Sequence, residues 1–133
     1  LAEVFSGFQP WAVNQVILAG AYLGVAEGIV LALKAGLDAE QLVGALSGGA
    51  ARSWVLENRS GRMIKNEYPI GFKVALHHKD MGIGLGLARE VGASLPVAAL
   101  FDQFLAALEG QGHGDDDTSA VARVIRGLSD LER

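Results

Sequence analysis

The chain has 133 residues, of which 50% are hydrophobic and 20% are charged, and it contains no Cys. A chain this apolar can bury enough surface to offset the entropy lost on folding, which excludes wholesale disorder. The lack of Cys excludes disulfides and thiolate metal sites. The net charge of −4 argues against a general nucleic-acid binder, which needs a basic face. We therefore expect a cytoplasmic protein, of the size of one domain, that binds no nucleic acid.

The first residue is Leu1 rather than Met, and no basic segment followed by an apolar segment precedes a cleavage signature. This start is typical of a fragment. We expect the chain to be part of a longer protein, whose function also depends on residues outside this sequence.

A long apolar helix is predicted first, over Trp11–Ala35, with Pro10 in its first turn and Gly36 ending it. Such a helix would be roughly 37 Å long, enough to cross a membrane. The polar residues inside it and the lack of basic flanks favour the alternative, a central helix of a soluble bundle. Glycines spaced four apart form a stripe that suits close helix packing, and we expect the helix to form a homo-oligomer interface.

The rest of the chain also has helical periodicity, and no segment alternates as a strand would. Further helices are predicted after Asp38, over 53–64 in one or two pieces, over 73–91, over 96–108 and over 118–131. Asp38 and Ser94 are the predicted caps of the second and the 96–108 helices, and Gly92 is the predicted end of the 73–91 helix. The sequence therefore predicts an all-α helical bundle with a long apolar first helix.

One face of the 73–91 helix places a cation among apolar and small residues. At helical spacing this face carries Phe72, Leu76, Lys79, Ile83 and Gly86. Lys79 could bind a phosphate or carboxylate, or donate a proton. The alternative is an ordinary surface lysine whose stem covers apolar surface while its ammonium pairs with an acid.

Two amides, Asn14 and Gln15, lie inside the apolar first helix, on the face that also carries Trp11 and Leu18. Buried amides need hydrogen-bond partners, so these two contact either another helix or a ligand. Both alternatives stay open on the sequence.

The histidines and acids give little sign of a metal site. His77 and Asp80 lie one turn apart, but two ligands without a third are a weak signal. His113 lies in a Gly-rich loop with no fixed partner, and Asp115-Asp116-Asp117 is better explained as the acidic start of the last helix. No metal site is predicted.

A series of short motifs, in a particular order and spacing, runs from residue 14 to residue 120. They are Asn14-Gln15-Val16-Ile17, Ala26-Glu27, Lys34-Ala35-Gly36-Leu37-Asp38, Ser47-Gly48-Gly49, Ser53-Trp54-Val55-Leu56-Glu57, Arg62-Met63, Gly71-Phe72, His77-His78-Lys79-Asp80, Leu95-Pro96 and Asp117-Thr118-Ser119-Ala120. Together they resemble the C-terminal domain of the β-hydroxyacid dehydrogenases, the family of 3-hydroxyisobutyrate dehydrogenase and tartronate semialdehyde reductase, with the same fold class as 6-phosphogluconate dehydrogenase. The resemblance implies that residues 11–133 form an all-α substrate and dimerisation domain. Residues 1–10 would be the remainder of an interdomain segment, and a Rossmann domain that binds NAD or NADP would lie outside this chain.

The resemblance also implies roles for particular residues. Asn14 and Gln15 would contact a small hydroxyacid substrate, while Phe72, Lys79 and Asp80 would lie beside the cofactor. Members of the family carry a catalytic lysine three residues before the position of Asn14, where this sequence has Trp11.

Three explanations of Trp11 are open on the sequence. The chain is a diverged or inactive member, it uses another proton donor as the related imine reductases do, or its first residues are an altered region. A hypothesis of a different class is a non-catalytic helical interaction module. In each case we expect this chain alone to turn nothing over.

Overall fold

The computed structural model describes residues 7–131, which form a bundle of α-helices. In chain order the helices are α1 Phe8–Lys34, α2 Ala39–Leu46, α3 Trp54–Lys65, α4 Val74–Val91, α5 Pro96–Gly110, a 3₁₀ turn at Thr118–Ala120, and α6 Val121–Leu128. No strand occurs in this range, and one isolated bridge joins Lys73 to Asp117. The predicted all-α bundle with a long first helix is therefore confirmed.

Helix α1 is the centre of the bundle, because α3, α4, α5 and α6 all pack against it. It starts at Phe8, three residues earlier than predicted, with Pro10 in its first turn, and it ends before Gly36, whose φ is +75°. The helix is long and apolar enough to cross a membrane, and 39% of its most apolar stretch is buried. Within this single chain Ile17 and Leu31 of the helix are exposed.

The helix boundaries follow the local capping chemistry in most places. The Asp38 carboxylate accepts the Gln41 N–H at 3.1 Å, as predicted, and Ser53 caps a single helix α3 by accepting the Leu56 N–H at 2.9 Å. Gly92 ends α4 with a φ of +77°. These ends therefore follow from side chains that can satisfy free backbone groups or adopt a left-handed φ.

The predicted start at Pro96 is confirmed, but one predicted cap and the extent of the last helix are wrong. Helix α5 starts with Pro96 after Leu95, and Ser94 makes no capping hydrogen bond, since proline at the first position already fixes the start. The last helix, predicted as continuous over 118–131, is a 3₁₀ turn followed by a helix that ends at Leu128.

The core surrounds α1, between it and α3, α4, α5 and α6. Phe101 and Leu105 of α5, Met81 of α4 and Met63 of α3 are fully buried there against α1. This packing fixes α4 against the first turns of α1, and the candidate site lies where these two helices cross.

Candidate functional site

Two predicted residues of α1 meet at one carboxylate of α4. The indole Nε1–H of Trp11 donates to Asp80 Oδ2 at 3.2 Å, and the Gln15 amide Nε2 donates to the same oxygen at 3.0 Å. Asn14 is exposed and donates its Nδ2 to Gln15 Oε1 at 2.8 Å. The structure therefore brings Trp11, Asn14, Gln15 and Asp80 together. Helical spacing predicts this grouping for the three residues of α1 but not for Asp80.

Gln15 answers the question that the sequence left open for the two amides. Its side chain is 1% exposed and joins α1 to α4 through Asp80, so it acts as a polar clamp between helices. A buried amide without such a partner would cost about 1–3 kcal/mol of folding free energy. Asn14 differs, because its exposed side chain has room for a further partner.

Lys79 is exposed and follows the same helix one residue before Asp80. Among residues 7–131 no carboxylate lies within salt-bridge distance of its ammonium, although several other cations of the chain are paired in this way. Within the described range, Lys79 is therefore a surface lysine without an acidic partner. Its charge is available to a ligand.

Phe72, half-buried just before α4, and His77, one turn into it, belong to an aromatic cluster. The His77 ring meets the rings of Phe72, Phe101 and Tyr22 edge-on, with centroids 5.4, 4.9 and 6.0 Å away. Its Nε2 lies 3.3 Å from the backbone carbonyl of Gln15. His77 is thus a core residue that braces the clamp between α1 and α4.

Two other histidines have partners that the sequence did not reveal. His78 lies between Asp102 and Glu109 of α5, with Nε2 3.3 Å from Asp102 and Nδ1 against Glu109. His113, predicted to have no fixed partner, lies 3.3 Å from the Asp116 carboxylate. No group of three metal-ligating side chains occurs within the described range.

The acidic run 115–117 is only partly explained by helix capping. Asp117 does cap the 3₁₀ turn, as predicted, by accepting the Ser119 N–H at 3.0 Å. It is also fully buried beside Arg59 and Arg62, a role that the run of three acids gave no reason to expect. Asp115 instead pairs with Lys73 at the surface, with 3.5 Å between charged atoms.

The residues at the α1–α4 crossing present groups that a small molecule could contact. Lys79 supplies an exposed cation for an anionic or carbonyl oxygen, and Asn14 supplies an exposed amide. Trp11 is 47% exposed, so its ring offers a flat apolar surface at the same crossing. A cation, an amide and an apolar surface together are the usual donor set of a small-molecule site.

His77 predicts a stability that depends on pH. Burial lowers its pKa below the ordinary 6.5, against smaller opposing effects of the Gln15 carbonyl and of the carboxylates of Asp80 and Asp117. Because the unfolded chain then binds the proton more readily, the free energy of unfolding falls as the pH drops below about 6.5 and is unaffected well above it. We expect urea denaturation to show this fall, and His77→Gln to reduce it. An equal pH dependence in both proteins would contradict this assignment.

Comparison with known proteins identifies the family. The family described as NAD-binding of NADP-dependent 3-hydroxyisobutyrate dehydrogenase matches residues 6–125. An uncharacterized oxidoreductase of Shewanella frigidimarina (strain NCIMB 400) is 41% identical over 130 residues, which cover 97% of this chain and 45% of that protein. The 2-hydroxy-3-oxopropionate reductase of Escherichia coli (strain K12) is 36% identical over 112 residues, which cover 84% of this chain and 38% of that protein.

A solved structure agrees with the sequence matches. The 3-hydroxyisobutyrate dehydrogenase of Mycobacterium tuberculosis, with L-serine, superposes with a TM-score of 0.78 at 28% identity, over 86% of this chain and 42% of that one. The chain thus spans less than half the length of these relatives. The predicted resemblance is confirmed, and so is NAD or NADP as the cofactor of the family. The chain belongs to the 3-hydroxyisobutyrate dehydrogenase-like family of NAD(P)-dependent oxidoreductases.

Proposed function

We propose that this chain is the C-terminal domain of an NAD(P)-dependent oxidoreductase acting on a small β-hydroxyacid or its semialdehyde. It contributes substrate contacts, part of the cofactor site and the subunit interface, while a Rossmann domain outside this sequence binds most of the cofactor. The observation that carries the proposal is the meeting of Trp11, Gln15 and Asp80 beside the exposed Lys79. The sequence upstream of Leu1 tests it, since it should encode a strand, a G-x-G-x-x-G turn and a helix.

The residues at and near the crossing would bind the cofactor, orient the substrate or hold the two helices together. The cofactor supplies the hydride. The Lys79 ammonium binds an oxygen of the cofactor through charge, while Phe72 covers it with apolar surface. Asn14 orients the substrate with its exposed amide. Gln15 and Asp80 hold the two helices in register, because their hydrogen bond joins α1 to α4 at 3.0 Å.

Trp11 favours a second candidate, an inactive homologue that binds its ligands without turning them over. Reduction of a carbonyl needs a proton for the forming alkoxide, and the indole N–H is a donor that does not titrate near neutral pH. In this chain that N–H is also engaged by Asp80. The two candidates differ in turnover, and they share the same binding site.

Lys79→Ala should weaken cofactor binding in the full-length protein that contains this chain. Loss of a charge-assisted contact costs about 1.5–3 kcal/mol, so we expect the Kd for NADPH to rise about ten- to hundred-fold. Calorimetric titration measures this, and the exposed Lys65 at the end of α3 provides a matched control. An equal Kd for Lys79→Ala and Lys65→Ala would assign Lys79 to the ordinary surface.

The open side of α1 supports the proposal of a homo-oligomer. Gly20, Gly24 and Gly28 are exposed there and line an apolar groove with Leu42 and Val43 of α2, and its volume is about 320 Å³. Small residues in a row allow the backbone of another helix to approach closely. A second copy of the chain would bury this groove.

Gly24→Leu should dissociate the oligomer without harming the fold. A Cβ at position 24 meets no atom within 4 Å, so a side chain can start there without strain and extend into the groove. Light scattering at micromolar concentration should report an oligomer for the natural chain and a 13.9 kDa monomer for the variant. Gly61→Leu on α3, which is equally free of neighbours, is the control and should stay oligomeric. A monomeric natural chain would contradict the proposed interface.

A further inference from the structure

A second buried cluster, away from the α1–α4 crossing, surrounds Asp117, which is 0% exposed. Its Oδ1 accepts the backbone N–H of Phe72 at 2.9 Å, and its Oδ2 accepts the N–H and the hydroxyl of Ser119 at 3.0 and 2.5 Å. Arg59 and Arg62 of α3 lie 3.2 and 3.4 Å from the two oxygens. Both oxygens are thereby surrounded by donors, which offsets the cost of burying the charge.

The same segment holds the other side of the Phe72 peptide. The Phe72 carbonyl accepts the Thr118 N–H at 2.7 Å and the Thr118 hydroxyl at 2.9 Å. Two residues on, the Val74 N–H donates to the Asp116 carbonyl at 2.9 Å. The backbone that leads into α4 is therefore fixed to residues 116–118 through the Phe72 N–H, the Phe72 carbonyl and the Val74 N–H.

Gly71 shows how closely the backbone approaches the carboxylate. A Cβ at position 71 would lie 2.5 Å from Asp117 Oδ1 and 3.1 Å from Arg62 Nη1. Real Cβ atoms do not approach an oxygen so closely, so a side chain here would push the carboxylate away from the Phe72 N–H. Glycine is required at position 71 because the Asp117 carboxylate occupies the space that a Cβ would need.

We propose that Asp117 is a positioning residue for the cofactor site. Within the described range, its side-chain hydrogen bonds and ion pairs go to Phe72, Ser119, Arg59 and Arg62. Through the Phe72 backbone it sets both the Phe72 ring and the start of α4. That helix carries Lys79 and Asp80. The proposal rests on the proposed function, because it requires Phe72 and Lys79 to lie beside NAD(P).

Three variants of the full-length protein test this by NADPH titration, with the Kd and the melting temperature both measured. Ser119→Ala removes one donor and Gly71→Ala displaces Oδ1, and both keep the charge balance of the cluster, whereas Asp117→Asn removes the charge. We expect the Kd to rise about ten-fold for Gly71→Ala and for Asp117→Asn, and less for Ser119→Ala. Ser60→Ala is the matched control, since this buried serine donates its hydroxyl to a carbonyl within α3.

The chemical shift of the Phe72 amide supplies a second readout that does not depend on the cofactor. It should move in Ser119→Ala and Asp117→Asn, and stay in place in Ser60→Ala. Gly71→Ala is assessed by the Kd alone, because a change in the residue directly before Phe72 shifts this amide in any case. If the Phe72 amide shift changes but the Kd for NADPH equals that of the natural protein in all three variants, the positioning role is overturned and the cluster is purely structural. An unmoved amide would overturn the local geometry. Failure of the natural protein to bind NADPH would instead refute the proposed function, while the amide shifts still decide whether Asp117 fixes Phe72.

Discussion

Trp11→Lys is expected to raise turnover of a small hydroxyacid or its semialdehyde in the full-length protein by about 10²–10⁴-fold, the usual contribution of a general acid. The structure supplies the reason. The Trp11 indole lies against Asp80, so a lysine at position 11 would have a carboxylate partner to hold its ammonium in the site. Steady-state kinetics of the two proteins with NADPH measure the change.

Two further variants separate the lost acid from the added bulk. Trp11→Phe keeps an aromatic ring and removes the hydrogen bond to Asp80, whereas Trp11→Ala removes the ring as well. Neither provides an acid, so neither should restore turnover. If Trp11→Ala were as active as Trp11→Lys, the ring alone would be what blocks the reaction. If Trp11→Lys were inactive although it binds NADPH, position 11 would not be where the acid acts.

Phe101→Ala is expected to lower the free energy of unfolding by about 3–5 kcal/mol, the range for removing a large side chain from a packed core. Phe101 is 0% exposed, and its ring lies 4.9 Å from that of His77 and 6.3 Å from that of Tyr22. The cavity would therefore open between α1, α4 and α5. Urea denaturation at neutral pH measures the loss.

The neighbouring residue provides the control for this prediction. Leu100 is on the same helix and is 48% exposed, so Leu100→Ala should cost less than about 1 kcal/mol. Similar losses at 100 and 101 would mean that α5 does not pack against α1 as described.

The helices were predictable because their signals are local. Asp38, Ser53, Gly36 and Gly92 act on backbone groups within a few residues, and apolar spacing marks the helix faces. The end of α3 shows the limit of such signals. Asn66 ends the helix with a φ of +58°, which asparagine tolerates, but an asparagine alone does not predict a helix end. Ser94 had the chemistry of a cap, but proline two residues later had already fixed the start of α5.

The candidate site was predictable only in part. Periodicity grouped Trp11, Asn14 and Gln15 on α1, and it placed Lys79 on another helix, but nothing local indicated that Asp80 would face them. That contact depends on how two helices 65 residues apart in sequence pack together. The ion pairs of Asp117 were missed for the same reason, because Arg59 and Arg62 come from a different part of the chain.

Binding of the cofactor at the crossing of α1 and α4 is tested most directly by the indole N–H resonances. The chain contains two tryptophans, Trp11 at the crossing and Trp54 on α3, where its ring packs against Arg59 at 4.6 Å. In the ¹⁵N-labelled full-length protein, with Trp11 assigned through Trp11→Phe, NADPH should shift the Trp11 indole signal and leave that of Trp54 unchanged. Binding of NADPH with no shift at Trp11 would contradict the account.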